Sequence, residues 1–228
     1  MAENKNEEVK KETSVDTEKL KNETANTVNQ VKDTIKNVNI KQDSVDTKNF
    51  VVEMFTKPVE KIRETVKDKE GNTLKYALIL LSVWALVGFL KLVFAGTLNL
   101  PAGAALWAII KALAVPFLEV AIMGVIILLC CSKDTKKSLT TIVTAVTIAK
   151  VPVIISSVVT MLNYASVDAY KITSPVASFF SAISTVLLFF VIKFLLNKKD
   201  EESIKTFAIV EILYLVVAFV LGFLGIYI

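Results

Sequence analysis

The chain contains the apolar stretch AALWAIIKALAVPFLEVAIMGVIILLC, residues Ala104–Cys130, in which only Lys111 and Glu119 carry a charge. A helix needs about 20 predominantly apolar residues to cross about 30 Å of hydrocarbon. The stretch is long enough to do so, and it is too apolar for the surface of a water-soluble domain. It therefore predicts a membrane-spanning helix.

Similar apolar stretches lie on both sides of it. Barrel-type alternation of polar and apolar residues is absent from them, and a lipid-exposed backbone must form helices or a closed barrel. The sequence therefore predicts an all-α polytopic membrane protein with a five-helix transmembrane bundle. The predicted spans are 76–96, 104–130, 139–162, 175–196 and 207–228.

The N-terminal third has a different composition. Residues 1–75 contain 15 basic and 15 acidic side chains, whereas the chain as a whole has a net charge of +4. We divide the chain into a polar arm over 1–48, an amphipathic juxtamembrane segment over 49–75 and the five-span domain over 76–228. The arm has only a thin stripe of β-branched residues, so we expect disorder or a frayed helix. A partner-binding or coiled-coil segment is the alternative.

The juxtamembrane segment combines aromatic and basic residues at helical spacing. Phe50, Phe55, Lys57, Lys61 and Arg63 are the residues that we expect to contact the membrane surface, with the rings toward lipid and the cations toward headgroups. Pro58 is expected to begin a new helix, because proline is tolerated in a first turn. The alternative is a cap that packs on the inner end of the bundle with the same residues.

The loops predict the orientation of the spans. Basic residues concentrate before the first span, in the second loop (Lys133, Lys136 and Lys137) and in the fourth (Lys198, Lys199 and Lys205). The first loop has no charge, and the third contains Lys171 as its one basic residue. By the positive-inside rule, the N-terminus is cytoplasmic and the C-terminus is outside.

Two charged residues are predicted at mid-bilayer, where ionisable side chains are costly and need a partner. Glu119 and Lys150 lie midway through antiparallel spans, so we expect them to approach each other inside the bundle. Pro116 and Pro152 lie near them and each free a helical carbonyl. The site is either a structural clamp between helices or a polar site for a solute or proton. Glu211 is expected to pair with Lys193.

Several classes of chemistry have no support in the sequence. Histidine is absent, and Cys130 and Cys131 are the only cysteines. The chain has no phosphate-cradling loop, no dinucleotide glycine fingerprint and no histidine-based metal motif. We therefore expect no catalytic residue, no cofactor, no metal ion and no nucleic-acid partner.

Three segments together resemble the Ypt-interacting-protein (Yip) domain family. They are Phe50-Val-Val-Glu-Met-Phe-Thr-Lys-Pro58, the Lys150-Val-Pro152 break in the third span, and the charged link Lys198–Lys205. The resemblance covers about residues 49–228 and is to a divergent, bacterial-type member. It implies a cytoplasmic N-terminal region followed by five membrane helices. The aspartate-leucine-tyrosine-glycine-proline segment of eukaryotic relatives is absent, so we carry over no residue that contacts a GTPase.

The resemblance implies a non-enzymatic integral membrane protein, which we expect in a bacterial cell membrane. The interpretation is a membrane-organising or adaptor component that acts through the bilayer and through a protein partner of the N-terminal arm. The alternative is a small transporter, or a subunit of one, that uses Glu119 and Lys150. The oligomeric state, the partner and any substrate stay open.

Overall fold

The structure is a computed structural model that describes residues 21–37, 39–68, 71–131, 137–164, 168–197 and 199–225. These residues form helices and connecting turns, with no strand among them. The described part of α1 covers residues 21–36. The other helices are α2 (Ile40–Thr56), α3 (Pro58–Lys67), α4 (Leu74–Phe94), α5 (Ala102–Cys131), α6 (Leu139–Ala149), α7 (Val151–Met161), α8 (Ala169–Leu196) and α9 (Asp200–Phe223).

Four of these helices, α4, α5, α8 and α9, are long and apolar enough to cross a membrane. The helices α6 and α7 pass the same test together, with a bend of 40° between them, and count as a fifth span if the pair is one broken helix. The predicted fold class, an all-α polytopic membrane protein, is confirmed.

α4 and α5 each begin two residues before their predicted spans, and two further helices begin six or seven residues early. α8 starts at Ala169, where 175 was predicted, and it continues through Pro175. α9 starts at Asp200, where 207 was predicted, and its first turn contains three acidic residues. Negative charge is favourable at a helix N-terminus, so this polar turn joins the helix although it lacks the apolar character of a span.

The core lies where α4, α5, α6, α7 and α8 meet. Its fully buried side chains include Val120 and Ile127 on α5, Ile148 on α6, and Val191 and Ile192 on α8. α9 packs at the edge of the bundle against α5 and α8, and of its side chains only Ser203 and Val210 are buried. From Phe207 onward the exposed side chains of α9 are apolar, as expected of a helix solvated by lipid.

The N-terminal helices pack on one end of the bundle. α2 contacts α4, and α3 contacts α6 and α8. α3 buries Ile62, Thr65 and Val66 in these contacts. We call α2 and α3 the helical cap. The arm over 1–48 was expected to be disordered or a frayed helix. Its described residues, 21–37 and 39–48, are helical apart from Asn37 and Asn39, and residues 1–20 and 38 lie outside the described residues.

Candidate functional site

The break between α6 and α7 is centred on Lys150. Lys150 is both the C-cap of α6 and the N-cap of α7, and Pro152 occupies the first turn of α7. The N–H of Val153 donates to the carbonyl of Lys150 at 2.9 Å. Proline has no N–H to donate and is well tolerated in a first turn, so the chain starts a new helix here.

At this break, Lys150 forms an ion pair with Glu119 of α5. The Lys150 Nζ lies 2.8 Å from the Glu119 Oε1. The two side chains are only 14% and 13% exposed, so the pair lies inside the bundle. We expected these side chains to approach each other because their depths in the bilayer match, and in the structure they form an ion pair. An ion pair in an apolar interior is much less costly than either charge alone.

Two residues of α9 also interact with Lys150. The Lys150 Nζ lies 5.5 Å from the ring centroid of Tyr214, within the range of a cation–π contact. Glu211, one turn earlier on α9 and half-buried, interacts electrostatically with Lys150. The predicted partner of Glu211 was wrong, because Lys193 instead pairs with Asp200 at 2.6 Å.

Two backbone carbonyls that lack a donor within their own helix lie against neighbouring helices. The Ser184 hydroxyl of α8 donates to the Ala149 carbonyl at 2.8 Å, in a fully buried contact. Pro116 leaves the Ala112 carbonyl without its helical donor. That oxygen lies only 3.0 Å from where a Cβ on Gly88 of α4 would be. The close approach of α4 and α5 therefore depends on the missing side chain of Gly88.

The five residues expected at the membrane surface divide into two groups. Phe50 is buried and stacks on Tyr76 of α4, with ring centroids 4.9 Å apart, so its expected contact with lipid is wrong. Arg63 lies 5.0 Å from the ring of Phe194 on α8. An amphipathic helix has the same sequence pattern whether its apolar face meets lipid or protein, and here that face packs on the bundle.

The other members of the set lie on or near the outer surface of the cap. Phe55 is 43% exposed, and the side chain of Lys57 is 67% exposed. Lys61 pairs with Glu53 of α2 at 2.5 Å and with Glu64 at 2.9 Å. These carboxylates raise the pKa of Lys61 above its usual value, and the hydrogen bond that Lys61 donates to Glu53 contributes most. Lys61 thus connects α2 to α3 through ion pairs.

A further ion pair joins the cap to the bundle. Asp43 of α2 is buried, and its Oδ1 accepts from Lys75 Nζ of α4 at 2.8 Å. Its Oδ2 accepts from the N–H of Asn39 at 2.8 Å. Both contacts lower the pKa of Asp43, that with Lys75 the more strongly. Sequence reasoning missed this pair, because 32 positions separate the two residues and nothing in the pattern connects them.

α1 also contacts the bundle, at the first turn of α6. The N–H of Leu139 donates to the Glu23 carboxylate at 3.3 Å, and the Thr140 hydroxyl donates to that of Thr27 at 3.1 Å. A carboxylate near a helix N-terminus satisfies a backbone N–H that has no partner within the helix. The N-terminal helices and the start of α6 therefore lie at the same end of the bundle.

The family model of the Yip1 domain matches residues 52–224. The match covers residues 52–56 of α2 and all of α3 to α9. No curated protein and no solved structure matches the chain.

Proposed function

The chain belongs to the Yip1 domain family. We propose that it is a membrane-organising or adaptor component that binds a protein partner through its helical cap. The family is one of non-enzymatic membrane proteins, and the apolar helices make this chain an integral membrane protein. The proposal adds a binding surface to that general role.

The packing of α3 is the observation that supports the proposal most directly. Ile62, Thr65 and Val66 are buried against the bundle, so the apolar face of α3 is already in use. The opposite face presents charges of both signs, with Lys57 and Glu60 as an exposed pair 3.8 Å apart. A mixed-charge surface held in place by the bundle is suited to recognising a protein by electrostatic complementarity.

We place the cap in the cytoplasm and the end of α9 outside. The loops next to the cap contain Lys137 and Lys199, whereas the opposite ends of α4 and α5 are joined by a loop without charge. Lys and Arg near the ends of spans stay on the cytoplasmic side. The cap then meets soluble cytoplasmic proteins and the inner membrane surface.

Photocrosslinking in cells tests the proposed partner surface. A photoreactive residue replaces Glu60, whose side chain is 58% exposed on the cap. The matched control replaces Ile212, which is 60% exposed on α9. We expect Glu60, and not Ile212, to capture the same protein reproducibly. Capture of lipid and abundant bystanders alone from Glu60 would contradict an adaptor role.

The broken span supports a second candidate function, a small transporter or transporter subunit. Lys150 lies where α6 ends and α7 begins, and it pairs there with Glu119 of α5. Charged groups at a helix break form the substrate sites of some transporters. A structural clamp between the helices uses the same contacts, so only a flux measurement separates the two roles.

Reconstituted liposomes provide that measurement. Under the transporter hypothesis, Glu119→Gln and Lys150→Met abolish a solute or proton flux that the parent chain shows. Lys111→Met is the control, because Lys111 lies on the same helix as Glu119 but contacts the ring of Trp107 at 5.8 Å. If the parent shows no flux and the variants only lose thermal stability, the pair is a clamp.

A further inference from the structure

Two neighbouring cavities lie between the N-terminal helices and α4. The polar cavity, of about 370 Å³, is lined by residues that include Gln30, Asp33, Asn37, Asp43, Asn72 and Lys75. The apolar groove, of about 490 Å³, is lined on the α4 side mainly by Leu78, Ile79, Val83 and Leu86. Ile35 and Ser44 complete its wall from the N-terminal helices.

The cavities follow each other along one face of α4. Lys75 lines the polar cavity, and Ile79 and Val83, four and eight residues later, line the groove. Residues four apart lie on the same face of a helix. The N-terminal walls are adjacent too, since Asp43 lines the polar cavity and Ser44 the groove. The polar cavity and the groove therefore lie next to each other along α4, and we call the two together the path.

The length of this path matches one leaflet of a bilayer. From Lys75 to Leu86 the helix rises about 16 Å, at about 1.5 Å per residue. Half of a hydrocarbon core of about 30 Å is about 15 Å. α4 is apolar from Tyr76 to Leu90 apart from Ser82, so we place Lys75 at the level of lipid headgroups and the groove at the level of the acyl chains. At this depth an open groove faces acyl chains.

We propose that this path binds one phospholipid with an amine-containing, zwitterionic headgroup. The polar cavity has two carboxylates, Asp33 and Asp43, against the single ammonium group of Lys75. Lys75 already pairs with Asp43, and Asp33 has no ion-pair partner within the described part of the chain. The excess negative charge favours a headgroup amine beside Asp33 and disfavours an anionic headgroup. Lys75 and the amide side chains of Gln30 and Asn37 line the same cavity and can donate hydrogen bonds to the phosphate.

The proposal extends beyond the adaptor role and does not depend on it. The full chain, purified in mild detergent, is incubated with equal amounts of phosphatidylethanolamine and phosphatidylglycerol and examined by native mass spectrometry. We expect one phosphatidylethanolamine per chain to be retained. Retention of neither lipid, or equal retention of both, would overturn the proposal, whatever the crosslinking experiment shows.

Variants in the groove test the acyl-chain path. Ser82 lines the groove, is exposed, and donates its hydroxyl only to the Leu78 carbonyl of its own helix, so Ser82→Trp fills the groove at little cost to the fold. We expect the affinity for the lipid to fall about tenfold, because losing the burial of about two methylene groups has an effect of this size. Val93→Trp, at an exposed position further along α4, is the control and retains the lipid. Equal retention by both variants contradicts the path.

The headgroup is tested separately. Asp33→Asn removes the unpaired carboxylate, so we expect the preference for phosphatidylethanolamine over phosphatidylglycerol to disappear. Asp46→Asn is the control, because Asp46 lies on α2 outside the polar cavity and is expected to leave the preference intact. A preference that persists in Asp33→Asn overturns the assignment of the headgroup. The Asp33→Asn result can be interpreted even if Ser82→Trp disturbs folding.

Discussion

Lys150 lies 2.8 Å from Glu119 at the point where α6 gives way to α7, so the helix break and the ion pair are one structural feature. Lys150 is a one-residue turn between two short helices, and its side chain reaches α5. The charge thereby connects the α6–α7 break to α5.

The pair predicts non-additive effects on stability. Removing either charge leaves the other buried and unpaired, so Glu119→Gln and Lys150→Met should each lower the free energy of unfolding by about 3–5 kcal/mol. The double variant should lose less than the sum of the two. Thermal unfolding in detergent, analysed as a double-mutant cycle, checks this. Strict additivity would show that the two groups do not interact.

The buried hydrogen bond from Ser184 to the Ala149 carbonyl should also be needed for stability. Ser184→Ala leaves this carbonyl without its donor inside the bundle, and we expect a loss of about 1 kcal/mol. Thr185→Val is the matched control, since the exposed Thr185 hydroxyl bonds only to the Ser181 carbonyl of its own helix. If both variants unfold at the parent's temperature, the Ser184 bond contributes nothing.

Gly88 should be intolerant of a side chain. A Cβ there would lie 3.0 Å from the backbone oxygen of Ala112, which cannot move away as a flexible side chain can. We expect Gly88→Ala to cost about 1–3 kcal/mol, as overpacking does. In Gly103→Ala the new Cβ meets nothing within 4 Å, so this control should unfold like the parent. Equal behaviour of the two variants would contradict the close approach of α4 and α5.

Docking of the helical cap should weaken in acid. The pKa of Asp43 is lowered in the folded chain, chiefly by its hydrogen bond from Lys75, so its contribution is fully present above the ordinary carboxyl pKa of about 4. The contribution declines as the pH falls below about 4 and is lost once the folded carboxylate itself is protonated. Distances between spin labels on α2 and α4 should therefore lengthen in this range. In Asp43→Asn the cap should be weakened at neutral pH, and this pH dependence should be absent.

The sequence was sufficient for the fold class, and it also indicated the central ion pair. Apolar stretches of membrane length are a strong signal, and the matched depths of Glu119 and Lys150 follow from antiparallel helices of known rise. The proline after Lys150 indicated the break. These features depend on local composition and on geometry that the bilayer imposes, so no tertiary information was needed.

The contacts of Glu211 and Phe50 could not be predicted in the same way. A span that starts at 207 puts Glu211 near a helix end, whereas α9 starts at Asp200 and puts it near the middle. The first turn of α9 is acidic, so a prediction from apolar stretches places the start of the helix too late. Phe50 belongs to an amphipathic pattern that suits lipid and protein equally, and only tertiary packing distinguishes them.

We infer that α6 and α7 together form one broken span, so that the chain crosses the membrane five times. Lys137 and Asp168 lie on either side of this pair, and neither side chain is buried. Single cysteines at these positions, in a Cys130→Ala/Cys131→Ala background, are labelled with a membrane-impermeant maleimide in right-side-out and inverted vesicles. We expect labelling of Lys137→Cys from the cytoplasmic side and of Asp168→Cys from the opposite side. Labelling of both from the same side would make the pair a re-entrant loop and contradict the five-span topology.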